Sequence, residues 1–153
     1  MLQLKDKNQS KIPMQLFLFY FYGATYVTIE VFFRGHSHWT MFLLGAMCGL
    51  IIGALNEKIS WEMPFELQCI IGAIVITLGE FIFGYILNLK LGLNIWDYSD
   101  MPMNIMGQIC LPFTLAWCAL SGVCIVLDDY LRYWFYDEEK PVYQSWVFKR
   151  NVG

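Results

Sequence analysis

Four long apolar runs constrain this chain more than any other feature of its sequence. They span about residues 13–33, 39–55, 64–89 and 107–127. About 20 apolar residues in a helix are enough to cross the ~30 Å hydrocarbon core of a bilayer. A helix is the form expected for such runs, because it satisfies its backbone hydrogen bonds internally. The sequence therefore predicts an all-α integral membrane protein, a four-transmembrane-helix bundle, as a multi-pass protein of the cell membrane.

The composition agrees with a membrane protein of one domain. Of the 153 residues, 58% are apolar and only 15% are charged, which is too little polar surface for a soluble protein of this size. We predict a polar N-terminal tail at residues 1–12, a membrane domain at 13–136 and a loosely packed C-terminal tail at 137–153. The polar start and the long first run argue against a removable signal peptide.

Several classes of function are not expected from this sequence. The net charge of -3 offers no basic surface for nucleic acid. No GxxxxGK[ST] phosphate loop is present, so ATP binding of that kind is not expected. The five cysteines form no CxxC pair, and neither a disulfide, a metal site nor a cofactor is predicted. No activated nucleophile motif is found, so no catalytic residue is assigned.

Lysine and arginine residues predict the orientation of the bundle. If the runs alternate across the membrane, eight of the ten fall on one side, and that excess is typical of the cytoplasmic side. Both termini are therefore predicted to be cytoplasmic, and the segment between the third and fourth runs should face outward. The eight are Lys5, Lys7, Lys11, Lys58, Arg132, Lys140, Lys149 and Arg150, and the other two are Arg34 and Lys90.

Gly45, Gly49 and Gly53 form a stripe of small residues along the second run. Their four-residue spacing puts them on one helix face, where they allow another helix to approach closely. The stripe is either a dedicated seam, within the protein or between copies, or ordinary packing inside a bundle. Both interpretations predict contact and not catalysis.

Two carboxylates, Glu30 and Glu80, lie within or at the edge of the apolar runs, on the side predicted to face outward. An ionisable residue in a membrane span is costly and is a functional hypothesis by default. Arg34 follows Glu30 by four residues, so an ion pair within one helix is the structural alternative for Glu30. Glu80 has no such neighbour in the sequence and must pair across the bundle, stay protonated or face water.

The segment between the third and fourth runs is dense in polar residues. The Met101-Pro102 step disfavours a continuous helix, so we expect a turn that lies on the bundle above Glu30, Arg34 and Glu80. Carboxylates and amides grouped in this way suit a polar solute or a cation, although aspartates in loops more often form caps and turns. The predicted ligand-binding or structural polar cluster is Glu30, Arg34, Glu80, Trp96, Asp97, Tyr98, Ser99, Asp100 and Asn104.

The same segment carries a resemblance to a known family. The residues concerned are Trp96-Asp97-Tyr98-Ser99-Asp100, Pro102, Asn104, Gly107-Gln108-Ile109-Cys110-Leu111 and Trp117, with Glu30-Val31 and Gly79-Glu80-Phe81 in earlier runs. Over about residues 15–130 the chain resembles the putative ABC transporter permease family of CmpB type, small multi-span proteins largely from Gram-positive bacteria. It departs from the family at two places. Gln108 stands where arginine is usual, and of the longer motif that commonly follows the first helix in the family, this chain has only Arg34-Gly35. The resemblance implies a permease and names no substrate.

Three functions fit these observations. The first is a permease subunit that joins a separate ATP-binding subunit and forms a homo- or hetero-oligomer, because four spans are few for a permease. The second is a non-transporting scaffold or regulator whose glycine face and C-terminal tail bind partners. The third is an intramembrane enzyme using Glu30, Glu80, Asp97 and Asp100 for acid–base chemistry. Nothing in the spacing requires the third, and we do not expect an enzyme.

Overall fold

The computed structural model describes residues 11–55 and 63–146, and these residues form four helices together with turns and irregular segments. Residues 1–10, most of the predicted polar tail, lie outside the described residues, as do 56–62 and the last part of the C-terminal tail at 147–153. The helices are α1 (Lys11–Arg34), α2 (Trp39–Gly53), α3 (Phe65–Gly84) and α4 (Leu111–Tyr136), and α3 continues as a π-helical segment over Tyr85–Lys90.

Local sequence explains where several helices begin and end. The side chain of His38 accepts a hydrogen bond from the Thr40 N–H at 3.4 Å and so caps the start of α2. Pro112 lies in the first turn of α4, where its missing N–H costs nothing. Asp137 ends α4 with a left-handed backbone, φ 59°. The runs predicted from sequence thus become helices with defined ends.

The prediction of an all-α membrane protein is confirmed at the level of helices. Three of them are long and apolar enough to cross a membrane: Pro13–Arg34, Phe65–Lys90 and Leu111–Tyr136. The fourth, α2, has 15 residues, or about 23 Å at 1.5 Å per residue, which is less than a full hydrocarbon core. The chain is therefore a multi-pass membrane protein with three long candidate spans and one shorter apolar helix.

The helices pack against one another in chain order. α1 lies along α2, α3 lies along α4, and α2 contacts both α3 and α4. Buried side chains from α2, α3 and α4 form the central hydrophobic cluster, among them Met41, Leu44, Ile52, Ile76 and Ile125. We call the end that holds residues 35–38 and 91–110 the loop end, and the end that holds residues 137–146 the tail end. Residues 91–110 are called the loop segment.

The C-terminal segment is more ordered than the sequence suggested. Phe65 donates its backbone N–H to the Gln144 carbonyl at 2.7 Å, and Trp146 donates its backbone N–H to Glu66 Oε2 at 3.1 Å. The hydroxyl of Ser145 also donates to Glu66. The expectation of a loosely packed tail is wrong for residues 144–146, because Gln144 accepts from the first backbone N–H of α3 and the next two residues donate to Glu66 in its first turn.

Candidate functional site

At the loop end, the carboxylate of Glu30 is paired. Arg34 Nη1 lies 2.5 Å from Glu30 Oε1, and the hydroxyl of Ser37 donates to Glu30 Oε2 at 2.5 Å. The second guanidinium nitrogen of Arg34 donates to the backbone carbonyl of Ile95 at 2.6 Å. Glu30 is therefore neutralised within its own helix, and Arg34 links α1 to the loop segment.

Glu80 lies deep in the bundle, with 1% of its surface exposed. Trp117 Nε1 on α4 donates to Glu80 Oε2 at 2.7 Å, and the Tyr98 hydroxyl in the loop segment lies 3.4 Å from Glu80 Oε1. Both donors are neutral, and within the described residues no lysine, arginine or histidine forms an ion pair with Glu80. A carboxylate buried in this way has hydrogen bonds but no compensating charge, which is unusual inside a membrane bundle.

Aromatic rings surround the Glu80 carboxylate. Tyr98 stacks on Phe113 with ring centres 4.7 Å apart, and Phe113 stacks on Trp117 at 6.0 Å. Tyr26 on α1 approaches Trp117 at 6.3 Å. The pKa of Tyr98 is raised by burial and then by the charge of nearby Glu80. The hydroxyl of Tyr98 therefore stays protonated and able to donate to the carboxylate.

The loop segment is attached to the bundle through Asn88, which lies in the π-helical extension of α3. The Asn88 side chain donates to the Trp96 carbonyl at 2.9 Å and to Gln108 Oε1 at 2.8 Å, and it accepts from the Ile95 N–H at 2.7 Å. The indole of Trp96 donates to the Gln108 carbonyl at 3.0 Å. Trp96 and Gln108 are therefore anchors of the loop segment.

The other polar residues of the loop segment mainly shape the loop itself. Asp97 Oδ1 accepts from the Ser99 N–H at 2.9 Å and from the Ser99 hydroxyl at 2.5 Å. These two hydrogen bonds lower the pKa of Asp97. The Asn104 amide donates to the carbonyls of Ser99 and Met101 at 3.0 and 2.9 Å. Asp100 is exposed and forms no side-chain hydrogen bond within the described residues.

The glycine stripe of α2 is used inside the protein. A Cβ atom at Gly45 would overlap Tyr26, one at Gly49 would overlap Tyr22, and one at Gly53 would overlap the carboxylate of Asp128. The missing side chains thus admit two tyrosines of α1 and one aspartate of α4.

A second buried acidic group lies near the tail end. Asp128 has no exposed surface, accepts from the Tyr22 hydroxyl at 2.5 Å and is paired with Arg132 Nε at 2.5 Å. Arg132 Nη1 also lies 3.7 Å from Glu138 Oε1. The i, i+4 spacing of Asp128 and Arg132 is visible in the sequence, but the contact with Tyr22 joins residues 106 positions apart and has no local signal.

The structure divides the polar cluster predicted from sequence into three groups and two separate residues, Trp96 and Asp100. It brings Glu30 together with Arg34 at the loop end, and Tyr98 together with Glu80 in the bundle. Trp96 is buried as an anchor of the loop segment. Asp97, Ser99 and Asn104 form a separate group within the loop, and Asp100 points to the surface. Sequence reasoning did not identify Trp117, Asn88, Gln108 and Tyr26 as partners of these groups. It also did not identify the separate contact between Tyr22 and Asp128.

Comparison with known proteins identifies one family. The family model described as "Putative ABC-transporter type IV" matches residues 9–148, which include all four helices and the loop segment. The resemblance inferred from the Trp-Asp-Tyr-Ser segment is thereby confirmed. No solved structure matches the chain.

Proposed function

Since the chain belongs to the putative ABC-transporter type IV family, we propose that it is the permease subunit of a transporter whose ATPase is a separate polypeptide. The absence of a phosphate loop from its sequence supports a separate ATPase. Its three long apolar helices support a membrane-embedded role. The proposal assigns no catalytic residue to this chain, and more than one copy or additional subunits would complete the transport path.

The proposed topology has four crossings and both termini in the cytoplasm. α2 makes the fourth crossing by sitting upright where the bilayer thins locally. The excess of lysine and arginine in the sequence segments predicted to share a side with both termini supports a cytoplasmic location for the tail end. Under this topology residues 13–136 form the membrane domain, and the loop segment faces outward.

One observation carries the proposed role: among the described residues, Glu80 is buried between the loop segment and α4 with no cationic partner. A purely structural acidic residue is normally paired, as Glu30 and Asp128 are. An unpaired intramembrane carboxylate is typical of a site that handles an ion, a proton or a charged solute. Glu80 also accepts a hydrogen bond from Tyr98 of the loop segment. A change in the charge of Glu80 would therefore alter a contact of the segment that is proposed to face outward.

The first test is isolation of the tagged chain from its native membrane in mild detergent, followed by mass spectrometry. We expect a stoichiometric ATP-binding subunit in the complex. Recovery of the chain with only copies of itself, in a detergent that preserves membrane protein complexes, would contradict the permease assignment.

The second test measures ATP hydrolysis by that complex in liposomes. Gln keeps the shape of Glu80 and one acceptor oxygen for the Trp117 indole, and its amide N–H can donate to the Tyr98 hydroxyl. We therefore expect Glu80→Gln to assemble normally and to lower coupled ATPase activity at least tenfold. Glu139→Gln, an exposed carboxylate in the C-terminal segment, is the matched control. Unchanged activity in a correctly assembled Glu80→Gln complex would remove Glu80 from the mechanism.

A non-transporting scaffold is the second candidate, and one observation favours it. Most polar groups of the loop end are satisfied internally, as in the Glu30–Arg34 and Asp97–Ser99 pairs. If the chain is a scaffold, Glu80→Gln should lower the thermal stability of the purified chain. The amount of partner bound should then fall only as far as the fraction of folded protein falls. A stable but inactive variant favours the permease instead.

A further inference from the structure

A crevice of about 90 Å³ lies between α1 and α4, and α2 forms its floor. Gly49 on the floor and Leu120 on one wall are among its mostly apolar lining. Thr25 and Val123, also in its lining, are exposed on the surface of the bundle. The crevice therefore opens sideways, toward the lipid that would surround these helices.

Contacts between α1 and α4 close the crevice at both ends. Toward the tail end, the Tyr22 hydroxyl donates to Asp128 at 2.5 Å. Toward the loop end, the rings of Tyr26 and Trp117 meet at 6.3 Å. The opening is thus a lateral window in the middle of the bundle and not a channel along its axis.

Glu80 lies directly beyond the upper closure. Trp117, one of the two closing rings, donates its indole N–H to the Glu80 carboxylate at 2.7 Å. Ile76 lines the crevice one helical turn before Glu80, on the same face of α3. The Tyr26–Trp117 pair therefore stands between an apolar opening to the membrane and a buried carboxylate that has no cationic partner in the part of the chain that the structure describes.

These features together suit one class of ligand. An apolar group can enter the crevice from the bilayer, a positive charge is attracted by aromatic rings, and a buried carboxylate is stabilised by a cation. We propose that the crevice and Glu80 form a binding site for a hydrophobic organic cation, which enters between α1 and α4. As the substrate class of the transporter, this inference rests on the proposed function.

A proton is the natural competitor for the same carboxylate. The titratable groups around Glu80 are Tyr26 and the Arg34-paired Glu30 on α1, Cys48 on α2 and Tyr98 in the loop segment. The contact of Glu80 with α4 is Trp117, which does not titrate. None of them supplies a positive charge to Glu80 directly. Binding of the cation should therefore weaken as the pH is lowered and a proton takes its place.

The test uses octyltrimethylammonium and the purified full-length chain in an uncharged detergent, with equilibrium dialysis against empty micelles. Octyl sulfate, which has the same chain and the opposite charge, is the control ligand. We expect saturable binding of the cation, no saturable binding of the anion, and an affinity at least tenfold lower in Glu80→Gln. The exposed-carboxylate variant Glu139→Gln should bind as the natural chain does.

A second pair of variants tests the crevice with Glu80 intact. Val123→Phe fills the window and should weaken binding several-fold, while Leu115→Phe, at an exposed position of α4 outside the crevice, should not. This pair also decides the question if Glu80→Gln fails to fold. Equal binding of octyl sulfate, or undiminished binding by folded Glu80→Gln or by Val123→Phe, would overturn the proposal.

Binding to the chain alone requires no ATPase, so the two proposals can fail separately. If the chain binds the cation but no ATP-binding partner is found, the permease assignment is contradicted and the proposed cation-binding site stands. If an ATP-binding partner is found but the chain does not bind the cation, the permease assignment stands and hydrophobic organic cations are excluded as its substrate class.

Discussion

Two buried carboxylates of this bundle differ in how their charge is compensated. Asp128 is paired with Arg132, whereas Glu80 has only the neutral donors Trp117 and Tyr98 among the described residues. Removing one partner of a buried ion pair leaves an uncompensated charge, which is strongly destabilising. A neutral amide in place of Glu80 leaves no such charge behind. Asp128 is therefore expected to serve mainly stability, and Glu80 is free to serve function.

The hydroxyl of Tyr22 should be important for stability. It donates to the buried carboxylate of Asp128, and a hydrogen bond to a charged group contributes about 1.5–3 kcal/mol. We expect Tyr22→Phe to lower the thermal unfolding temperature in detergent. Tyr20→Phe, at a position that is 65% exposed, is the matched control and should have no effect. Equal unfolding temperatures for the two variants would show that the Tyr22–Asp128 bond adds no stability.

The pH dependence of the loop segment should follow Asp97. Because Ser99 lowers the pKa of Asp97 in the folded protein, this contact stabilises the loop fully above the ordinary aspartate pKa of about 3.9 and is lost as the pH falls through the lower, folded value. An NMR titration of the Asp97 carboxyl should give a midpoint below the ordinary value. Ser99→Ala should return the midpoint toward it, and an unchanged midpoint would contradict the assignment.

Sequence reasoning reached some of these residues and not others, for a physical reason. The pairing of Glu30 with Arg34 follows from helix geometry, since residues four apart share a face. The cost of a charge in a membrane pointed to Glu80 as well. The partner Trp117 lies 37 residues away from Glu80, and no local pattern indicates which residue of α4 faces α3.

At the scale of helices, α1 and α2 fit together through complementary spacing. Tyr22 and Tyr26 are four residues apart on α1 and occupy the space that Gly49 and Gly45 leave on α2. The glycines alone predicted a contact, but two partners were open: another helix of this chain or a second copy. The bulky, four-spaced tyrosines of α1 are the complementary signal that identifies the partner.

Replacing helix glycines by alanine should distinguish glycines that are packed too tightly to accept a side chain from glycines that are not. At Gly53 a Cβ atom would overlap the Asp128 carboxylate, so we expect Gly53→Ala to destabilise the bundle by about 1–3 kcal/mol. At Gly79 the nearest atoms, Cys48 Sγ and Leu44 Cδ1, lie at 3.1 Å in side chains that can shift. The higher helix propensity of alanine should then make Gly79→Ala nearly neutral. Thermal unfolding of both variants in one detergent tests this, and equal destabilisation would contradict it.

The boundaries of α4 show where apolar runs stop being informative. The run ends near Leu127, but the helix continues to Tyr136, because Asp128 and Arg132 neutralise each other inside the bundle. Charged residues end the predicted span, but the four-residue spacing of Asp128 and Arg132 predicts that the helix continues beyond it, as the structure confirms. By contrast, the hydrogen bonds of residues 144–146 to α3 lie beyond what composition can predict.

At the scale of the whole molecule, α4 connects two of the buried acidic residues, Glu80 and Asp128. Trp117 and Asp128 are on this helix about 16 Å apart along its axis, at a rise of 1.5 Å per residue. Trp117 bonds Glu80 toward the loop end, and Asp128 bonds Tyr22 toward the tail end. A shift of α4 relative to α1 would therefore disturb both groups together and would widen or close the crevice between these helices.

The proposed orientation of this bundle can be tested with single cysteines in right-side-out membrane vesicles. If the loop segment faces outward, Ser99→Cys should react with a membrane-impermeant maleimide in intact vesicles, because position 99 is exposed. Glu139→Cys, exposed in the C-terminal segment, should react only after the vesicles are opened. The unsubstituted chain is the background control, since three of its five cysteines, Cys48, Cys69 and Cys110, are buried. Labelling of Glu139→Cys in sealed vesicles would show that the topology is the reverse of the one proposed. Glu80 would then lie nearer the cytoplasmic surface, and the ligand would enter the crevice from the inner half of the bilayer.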